Sequence, residues 1–151
     1  MKARNAPRRW AAFHEAGHAV MRIVREGEPT GIYIGDDGSG YSHGTGIMQR
    51  IDDNIEVALA GPLAEARARK ISAVAVFMSA GSKQDMEKAV KLANLLAISI
   101  GSDQRDILRE AEANARRFLR YYWSAVERLA QAVLESGNLT NSEVGAIAAI
   151  E

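Results

Sequence analysis

The chain has 151 residues, of which 47% are hydrophobic and 25% are charged, and this composition excludes disordered and collagen-like classes. Nineteen basic and nineteen acidic side chains cancel, so we expect no nucleic-acid partner recruited by overall charge. Cysteine is absent, so a metal could be bound only by histidine and carboxylate. Because the sequence has neither a secretory signal nor an apolar run of about 20 residues, we expect a cytoplasmic protein without a membrane span.

The first part of the chain predicts a helix followed by a small antiparallel hairpin. Apolar residues recur at spacings of three and four over about 7–26, which is typical of an amphipathic helix. The β-rich run 31–34 is followed by turn residues over 36–40, and the run 46–51 predicts a second strand. We therefore expect a hairpin or small sheet within about 30–51.

A second helix is predicted over about 53–70. Asp53 and Glu56 have the spacing of a capping pair at its start. Pro62 lies inside this helix and predicts a kink near Gly61, because proline removes a backbone hydrogen bond from the helix interior.

Further helices are predicted in the second half of the chain. The apolar run 71–80 is too short to assign, and a helix over about 82–100 follows it. Apolar positions at helical spacing predict one long amphipathic helix over 102–136. Thr140 and Glu143 form a capping box for a short last helix.

These elements predict a single domain over 1–151 of the α+β class, mainly α-helical. An N-terminal helix and a small hairpin precede a helical bundle over about 53–151. Aromatic side chains lie on more than one face of the predicted long helix, which would suit association into a homo-oligomer. These residues are Phe118, Tyr121, Tyr122 and Trp123.

The motif His14-Glu15-Ala-Gly-His18 carries the chemistry that the sequence suggests. Inside a helix, His14 and His18 lie one turn apart on the same face, where both imidazoles can bind one Zn²⁺. Glu15 lies beside the first histidine, in reach of a water at the metal but not itself a ligand. Small residues between the histidines leave room for a metal and for close packing.

A third ligand must come from elsewhere in the chain, and the residues alone leave three alternatives. Asp85 lies at the start of a predicted helix, where Ser82-x-x-Asp is also a plain capping pattern. Glu65 lies on the second helix, where it could instead pair with Arg69 four residues later. His43, in the glycine-rich loop, is more typical of a surface histidine.

The sequence resembles the peptidase domain of the FtsH family of ATP-dependent zinc metalloproteases, from about Trp10 to the C-terminus. His14-Glu-Ala-Gly-His18-Ala-Val matches the zinc helix of that family, and three further segments resemble family segments in order and approximate spacing. These are 57–65 (VALAGPLAE), 80–86 (AGSKQDM) and 129–143 (LAQAVLESGNLTNSE).

The resemblance implies a zinc metalloendopeptidase in which His14, His18 and Asp85 bind Zn²⁺ and Glu15 is the base. Glu65 then becomes a neighbour that contacts a ligand rather than the metal. The implied reaction is hydrolysis of peptide bonds in unfolded or flexible polypeptides through a metal-activated water.

The sequence departs from the family pattern at several points. Pro62 stands where the family usually has arginine, Gln84 stands for its usual asparagine, and the stretch after the zinc helix is shorter. No Walker phosphate-loop motif and no transmembrane anchor occur in these residues, so we expect a free-standing domain. It would cleave flexible segments or work with a separate ATPase that unfolds substrates.

Two further expectations concern binding. The strand predicted over 46–51, with Gly46, Ile47 and Met48, could pair with an extended polypeptide substrate as an added strand. The alternative to an enzyme is a catalytically silent, zinc-stabilised binding or regulatory module that partners an ATP-dependent unfoldase. The presence of Glu15 favours the enzyme, because a purely structural zinc site does not need it.

Overall fold

The computed structural model describes residues 6–42 and 50–150, and within these ranges the fold is mainly α-helical α+β, which confirms the predicted class. In the described ranges, no helix combines the length and the apolar character that a bilayer crossing requires. The helices are α1 (Ala6–Glu26), α2 (Ile51–Arg69), α3 (Ala73–Phe77), α4 (Lys83–Ile100), α5 (Gln104–Tyr121), α6 (Trp123–Ser136) and α7 (Asn141–Ala148), with a 3-10 turn at Ala80–Ser82. The strands are β1 (Ile32–Ile34), β2 (Gly40–Ser42) and β3 (Asn138–Leu139).

The three strands form one antiparallel sheet in the order β2-β1-β3. The chain reverses tightly after β1, because Gly35 N–H donates to the Ser39 carbonyl at 2.7 Å and Gly38 adopts a φ of 87°. The second strand therefore begins at Gly40, inside the range predicted to be only a turn. The β3 strand was not predicted, since two residues carry no periodicity.

The strand predicted over 46–51 is wrong at its end, because Ile51 is the first residue of α2 and Arg50 is its N-cap. The rest of that prediction, 46–49 with the substrate-strand residues Gly46, Ile47 and Met48, lies outside the described residues. His43 lies outside them as well.

The centre of the fold is α2, in which every residue from 53 to 66 is buried. A helix that is buried on all faces must be surrounded by other elements, and α1, α4 and α5 pack around it. The approach of α1 depends on Gly17, where a Cβ atom would lie 2.5 Å from Ala64 Cβ and 2.6 Å from the Ala60 carbonyl oxygen. Side chains at this crossing must be small for the two helices to touch.

The predicted capping pair at the start of α2 is wrong. The helix begins two residues earlier than expected, so Asp53 and Glu56 lie inside it and are buried. Both carboxylates face Arg25 near the end of α1: Glu56 accepts a short hydrogen bond from Nη2, and Asp53 Oδ1 lies 3.6 Å from Nε. The pair therefore joins α1 to α2. Leaving a buried carboxylate without a charged partner costs more free energy than leaving a helix end without a cap.

The single helix predicted over 102–136 is two helices, because the chain bends at Tyr122 (φ −101°, ψ 22°) between α5 and α6. The bend turns Trp123 into the core, where its ring stacks on Phe13 with centroids 5.7 Å apart. Phe118 is covered by the Arg25 guanidinium at 4.7 Å, while Tyr121 remains exposed. Two of the aromatic residues proposed for self-association thus belong to internal packing. Association into a homo-oligomer stays a prediction.

The close crossing of α1 and α2 predicts that Gly17→Ala destabilises the protein. The added methyl has no space, so the helices must separate or the backbone must shift, at a cost of about 1–3 kcal/mol in the free energy of unfolding. Gly81→Ala is the matched control, since a Cβ there meets nothing within 4 Å. Denaturant unfolding checks both variants, and equal stability of the two would contradict this account of the crossing.

Candidate metal centre

Two histidines of α1 and one aspartate of α4 converge at a single point. His14 and His18 lie one turn apart on the face of α1 that meets α2, and both are buried. Asp85 comes from the first turn of α4, 71 residues after His14 in the sequence. One potential ligand atom from each of the three residues lies within 4.8 Å of the other two.

The carboxylate of Asp85 lies between the two imidazole rings. Its Oδ2 atom is 2.7 Å from His14 Nε2 and 3.2 Å from His18 Nε2. The ring centroids are 4.9 Å apart and the ring planes are inclined by 74°, so the rings do not stack. Each ring therefore directs the same nitrogen, Nε2, toward one shared position.

The other nitrogen of each ring is held by a hydrogen bond from behind. His14 Nδ1–H donates to Glu65 Oε1 at 3.1 Å, and His18 Nδ1–H donates to the Val57 carbonyl at 2.6 Å. Arg69 in turn donates to Glu65 Oε2 at 2.7 Å. A hydrogen bond at Nδ1 fixes the ring and leaves Nε2 for a metal, as is usual for ligating histidines.

Two of the three candidate third ligands, Asp85 and Glu65, lie on different sides of the His14 ring. Asp85 lies with the Nε2 atoms, whereas Glu65 lies on the far side of the His14 ring and also pairs with Arg69. The capping pattern that could have explained Asp85 is not formed, because the Ser82 side chain caps no backbone N–H of α4. His43 lies outside the described residues.

Electrostatics within the cluster favour a protonated His14 next to ionised carboxylates. Burial lowers the pKa of His14, but hydrogen bonds to Asp85 and Glu65 outweigh it and raise this pKa to about 10. Burial alone would raise the pKa of Asp85, yet the adjacent His18 and His14 hold it far below its usual value. The pKa of Glu65 is lowered by His14 and Arg69 against the effect of burial.

The cluster opens into a cleft of about 330 Å³. Glu15 lines this cleft next to His14, and residues of β2, the outer strand of the described sheet, line it as well. A second hollow, lined by Trp10 and Pro7 among others, shares His14 and Glu15 with the first. Glu15 therefore lies where two openings meet beside the cluster, accessible to a ligand although its side chain is largely buried.

Gly61 supports the cluster, and the sequence did not reveal this role. Gly61 was predicted only to mark a kink, but a Cβ atom there would overlap the His18 ring. The absence of a side chain at Gly61 lets α2 come close enough for Val57 to accept the His18 hydrogen bond. A glycine four residues before Glu65 is a weak signal, because glycine inside a helix has many causes.

The donor set suits a zinc ion. Two imidazole Nε2 atoms and one carboxylate oxygen are ligands that zinc accepts, and three protein ligands are the number found in catalytic zinc sites. The outer hydrogen bonds are already formed and a cleft reaches the cluster. The residues present therefore fit the metal that the sequence suggests.

Comparison with known proteins gives one relative and no family. The chain is 30% identical, over 186 aligned positions, to the ATP-dependent zinc metalloprotease FtsH 1 of Symbiobacterium thermophilum. The alignment covers 97% of this chain and 30% of that protein, so the chain spans less than a third of the relative. No family model matches the chain. The similarity indicates a distant relationship to an FtsH protease.

The packing of Gly61 predicts that Gly61→Ala weakens zinc binding. The methyl would displace the His18 ring and its hydrogen bond to Val57, and loss of such outer support typically costs 10–100-fold in metal affinity. Competition with a chromophoric chelator measures the affinity. Gly81→Ala serves as the control, and an unchanged affinity in Gly61→Ala would show that His18 is not held in this way.

The pKa of His14 predicts a pH-dependent stability for the metal-free protein. A pKa raised from 6.5 to about 10 means that protonated His14 stabilises the fold fully below pH 6.5, and that this contribution is lost as the pH rises through about 10. The stability difference between the wild type and His14→Gln should therefore shrink over that window. Denaturant unfolding in excess chelator measures it, and a difference that stays constant from pH 6 to pH 10 would contradict the assignment.

Proposed function

We propose that this chain is an FtsH-like zinc metallopeptidase domain, comprising residues 1–151, that hydrolyses peptide bonds in unfolded or flexible polypeptides. The observation that carries the proposal is the convergence of His14 Nε2, His18 Nε2 and the Asp85 carboxylate beside Glu15 in an open cleft. The similarity to a zinc metalloprotease over nearly all of the chain supports the same conclusion.

In this proposal His14, His18 and Asp85 hold the zinc. When bound, zinc supplies Lewis-acid chemistry, which lowers the pKa of water from 15.7 toward about 7 and polarises a carbonyl group. Glu65 and the Val57 carbonyl keep the two imidazoles oriented by accepting their Nδ1–H protons. Arg69 holds Glu65 in turn, so the support extends across α2.

Glu15 acts as the proton carrier. Its carboxylate lines the cleft one residue from His14, and it takes a proton from the attacking water and delivers it to the leaving amine. Among the described residues that line the cleft, the other carboxylate belongs to Asp85, and both histidines engage it. Removal of Glu15 should therefore stop turnover without removing the metal.

The shape of the cleft favours an extended polypeptide as substrate. The β2 strand runs along one side of it, and an edge strand can pair with a substrate segment through backbone hydrogen bonds. A segment whose backbone groups are already paired within a helix or a sheet cannot bind in this way. Substrates must therefore be flexible, or an ATP-dependent unfoldase must deliver them in extended form.

The proposal predicts a separation of metal binding from turnover. Glu15→Gln should retain one zinc per chain and lose about 10²–10⁴-fold of the hydrolysis of an unfolded, dye-labelled protein. Glu87→Gln, the same chemical change at an exposed position of α4, is the control. If zinc-loaded Glu15→Gln cleaves as fast as the wild type, Glu15 has no role as base. If the zinc-loaded wild type cleaves no polypeptide, the silent binding module is the better account.

The ligand assignment predicts different outcomes for the two candidate carboxylates. Asp85→Asn should lose zinc, whereas Glu65→Gln should keep it with an affinity weakened by about 10–100-fold. Asp106→Asn on the exposed face of α5 is the control. Metal content after dialysis measures the effect, and loss of zinc from Glu65→Gln but not from Asp85→Asn would reverse the assignment.

A further inference from the structure

Two basic side chains that the proposed chemistry does not use line the cleft. Arg22 lines it four residues after His18, which places its Cα about 6 Å further along α1 on the same face. Lys88 lines it from α4, one turn after Asp85. The cations thus enter the cleft from two helices, beyond the residues that would hold zinc.

In the part of the chain that the structure describes, Arg22 lines the cleft without the acidic partner that Arg25 and Arg69 have. Arg25 pairs with Glu56 and Asp53, and Arg69 pairs with Glu65. Within the described residues Arg22 has no ion pair, and its Nε atom is buried without a hydrogen bond. Arg22 as a whole is half-buried, and buried polar groups are normally paired, so an acceptor brought by a ligand would supply the missing partner.

The acidic and basic side chains that line the cleft come from different turns of its helices. Glu15 and Asp85 lie at the cluster, and Asp85 is engaged by the histidines. Arg22 and Lys88 are the basic side chains that line the cleft outside the cluster, among the described residues. A guanidinium offers planar, paired donors that match a carboxylate, and the ammonium of Lys88 adds attraction without competing for the geometry.

We propose that Arg22, assisted by Lys88, forms a carboxylate-binding subsite that makes the cleft select acidic polypeptides. This inference rests on the proposed role of the cleft in binding extended peptide. The Arg22 Cα lies about 6 Å from that of His18 and about 12 Å from that of His14 along α1, and an extended chain advances about 3.3 Å per residue. For a substrate chain that runs parallel to α1, these spacings put the acidic residue about two to four positions from the scissile bond.

The binding experiment does not depend on hydrolysis. Fluorescein-labelled decapeptides that differ only in Glu or Gln at one position are titrated against zinc-loaded Glu15→Gln protein, and anisotropy gives the affinity. A second pair compares a free C-terminal carboxylate with a C-terminal amide, which distinguishes a side-chain carboxylate from a chain end. We expect the Glu peptide to bind on the order of tenfold more tightly than the Gln peptide, because a charge-assisted hydrogen bond is formed. The preference should weaken with added salt.

Charge variants test which residue is responsible. In the Glu15→Gln background, Arg22→Met should abolish the preference for Glu, and Arg22→Glu should reverse it in favour of a Lys peptide. Arg109→Met removes an exposed cation on α5 and should leave the preference intact. The inference is overturned if the preference for Glu survives in Arg22→Met. It is also overturned if the Glu15→Gln protein with Arg22 intact binds Glu and Gln peptides equally. The protein could instead prefer only the free C-terminal carboxylate over the amide and lose this preference in Arg22→Met. Arg22 would then bind the end of the chain, and the claim for acidic side chains fails.

Hydrolysis separates this inference from the function on which it rests. With Glu15 intact and zinc bound, kcat/KM for Glu and Gln peptides should differ by the same factor, and Arg22→Met should equalise them while still cleaving the Gln peptide. Cleavage without any Glu preference would leave the peptidase function standing and overturn the subsite. Arg22-dependent binding of Glu peptides without cleavage would support the subsite and contradict the peptidase function.

Discussion

The sharing of one Asp85 carboxylate oxygen by two histidine rings is the contact on which the candidate site depends. It joins α1 to α4 across the buried helix α2, and it places two Nε2 atoms and an oxygen at one position. Three polar groups concentrated in this way are costly to bury unless they are paired. In the metal-free protein a proton on His14 is stabilised by the carboxylates of Asp85 and Glu65, as the raised pKa of His14 indicates. A divalent cation would pair with the same Nε2 atoms and Asp85 oxygen in place of that proton.

The fold maintains this arrangement through close helix packing and a layer of supporting hydrogen bonds. Gly17 and Gly61 let α1 and α2 approach, and Glu65 and the Val57 carbonyl then reach the Nδ1 atoms of the two rings. Rings that are fixed from behind need little reorganisation when a ligand binds in front. Helix α2 therefore forms both the centre of the core and the surface behind the two imidazole rings.

Periodicity and capping signals predict most of the helices. They do not predict helix boundaries that depend on contacts between residues far apart in the sequence. The capping box at Thr140 and Glu143 is confirmed, because it depends on residues three apart. Asp53 and Glu56 have the same spacing and fail, because Arg25 from another helix binds both carboxylates. The break at Tyr122 is invisible in the apolar pattern, since it is set by the packing of Trp123 on Phe13.

Within the site, the two histidines follow from their spacing on one helix, whereas the third group requires the tertiary structure. Asp85 and Glu65 are equally acceptable as carboxylates in the sequence, and only the fold shows that they lie on opposite sides of His14. A distant relationship to an FtsH protease agrees with this geometry at the level of a metalloprotease. The carboxylate subsite that we propose at Arg22 rests on the residues of this chain and not on that relationship.

The ligand set of the bound metal is the most direct test of the account. X-ray absorption at the zinc edge of the loaded protein should show one zinc per chain with nitrogen and oxygen neighbours at about 2.0–2.2 Å and the outer scattering of two imidazoles. In His18→Gln the signal of one imidazole should be missing. Less than stoichiometric zinc, or a zinc shell without imidazole scattering, would contradict the account.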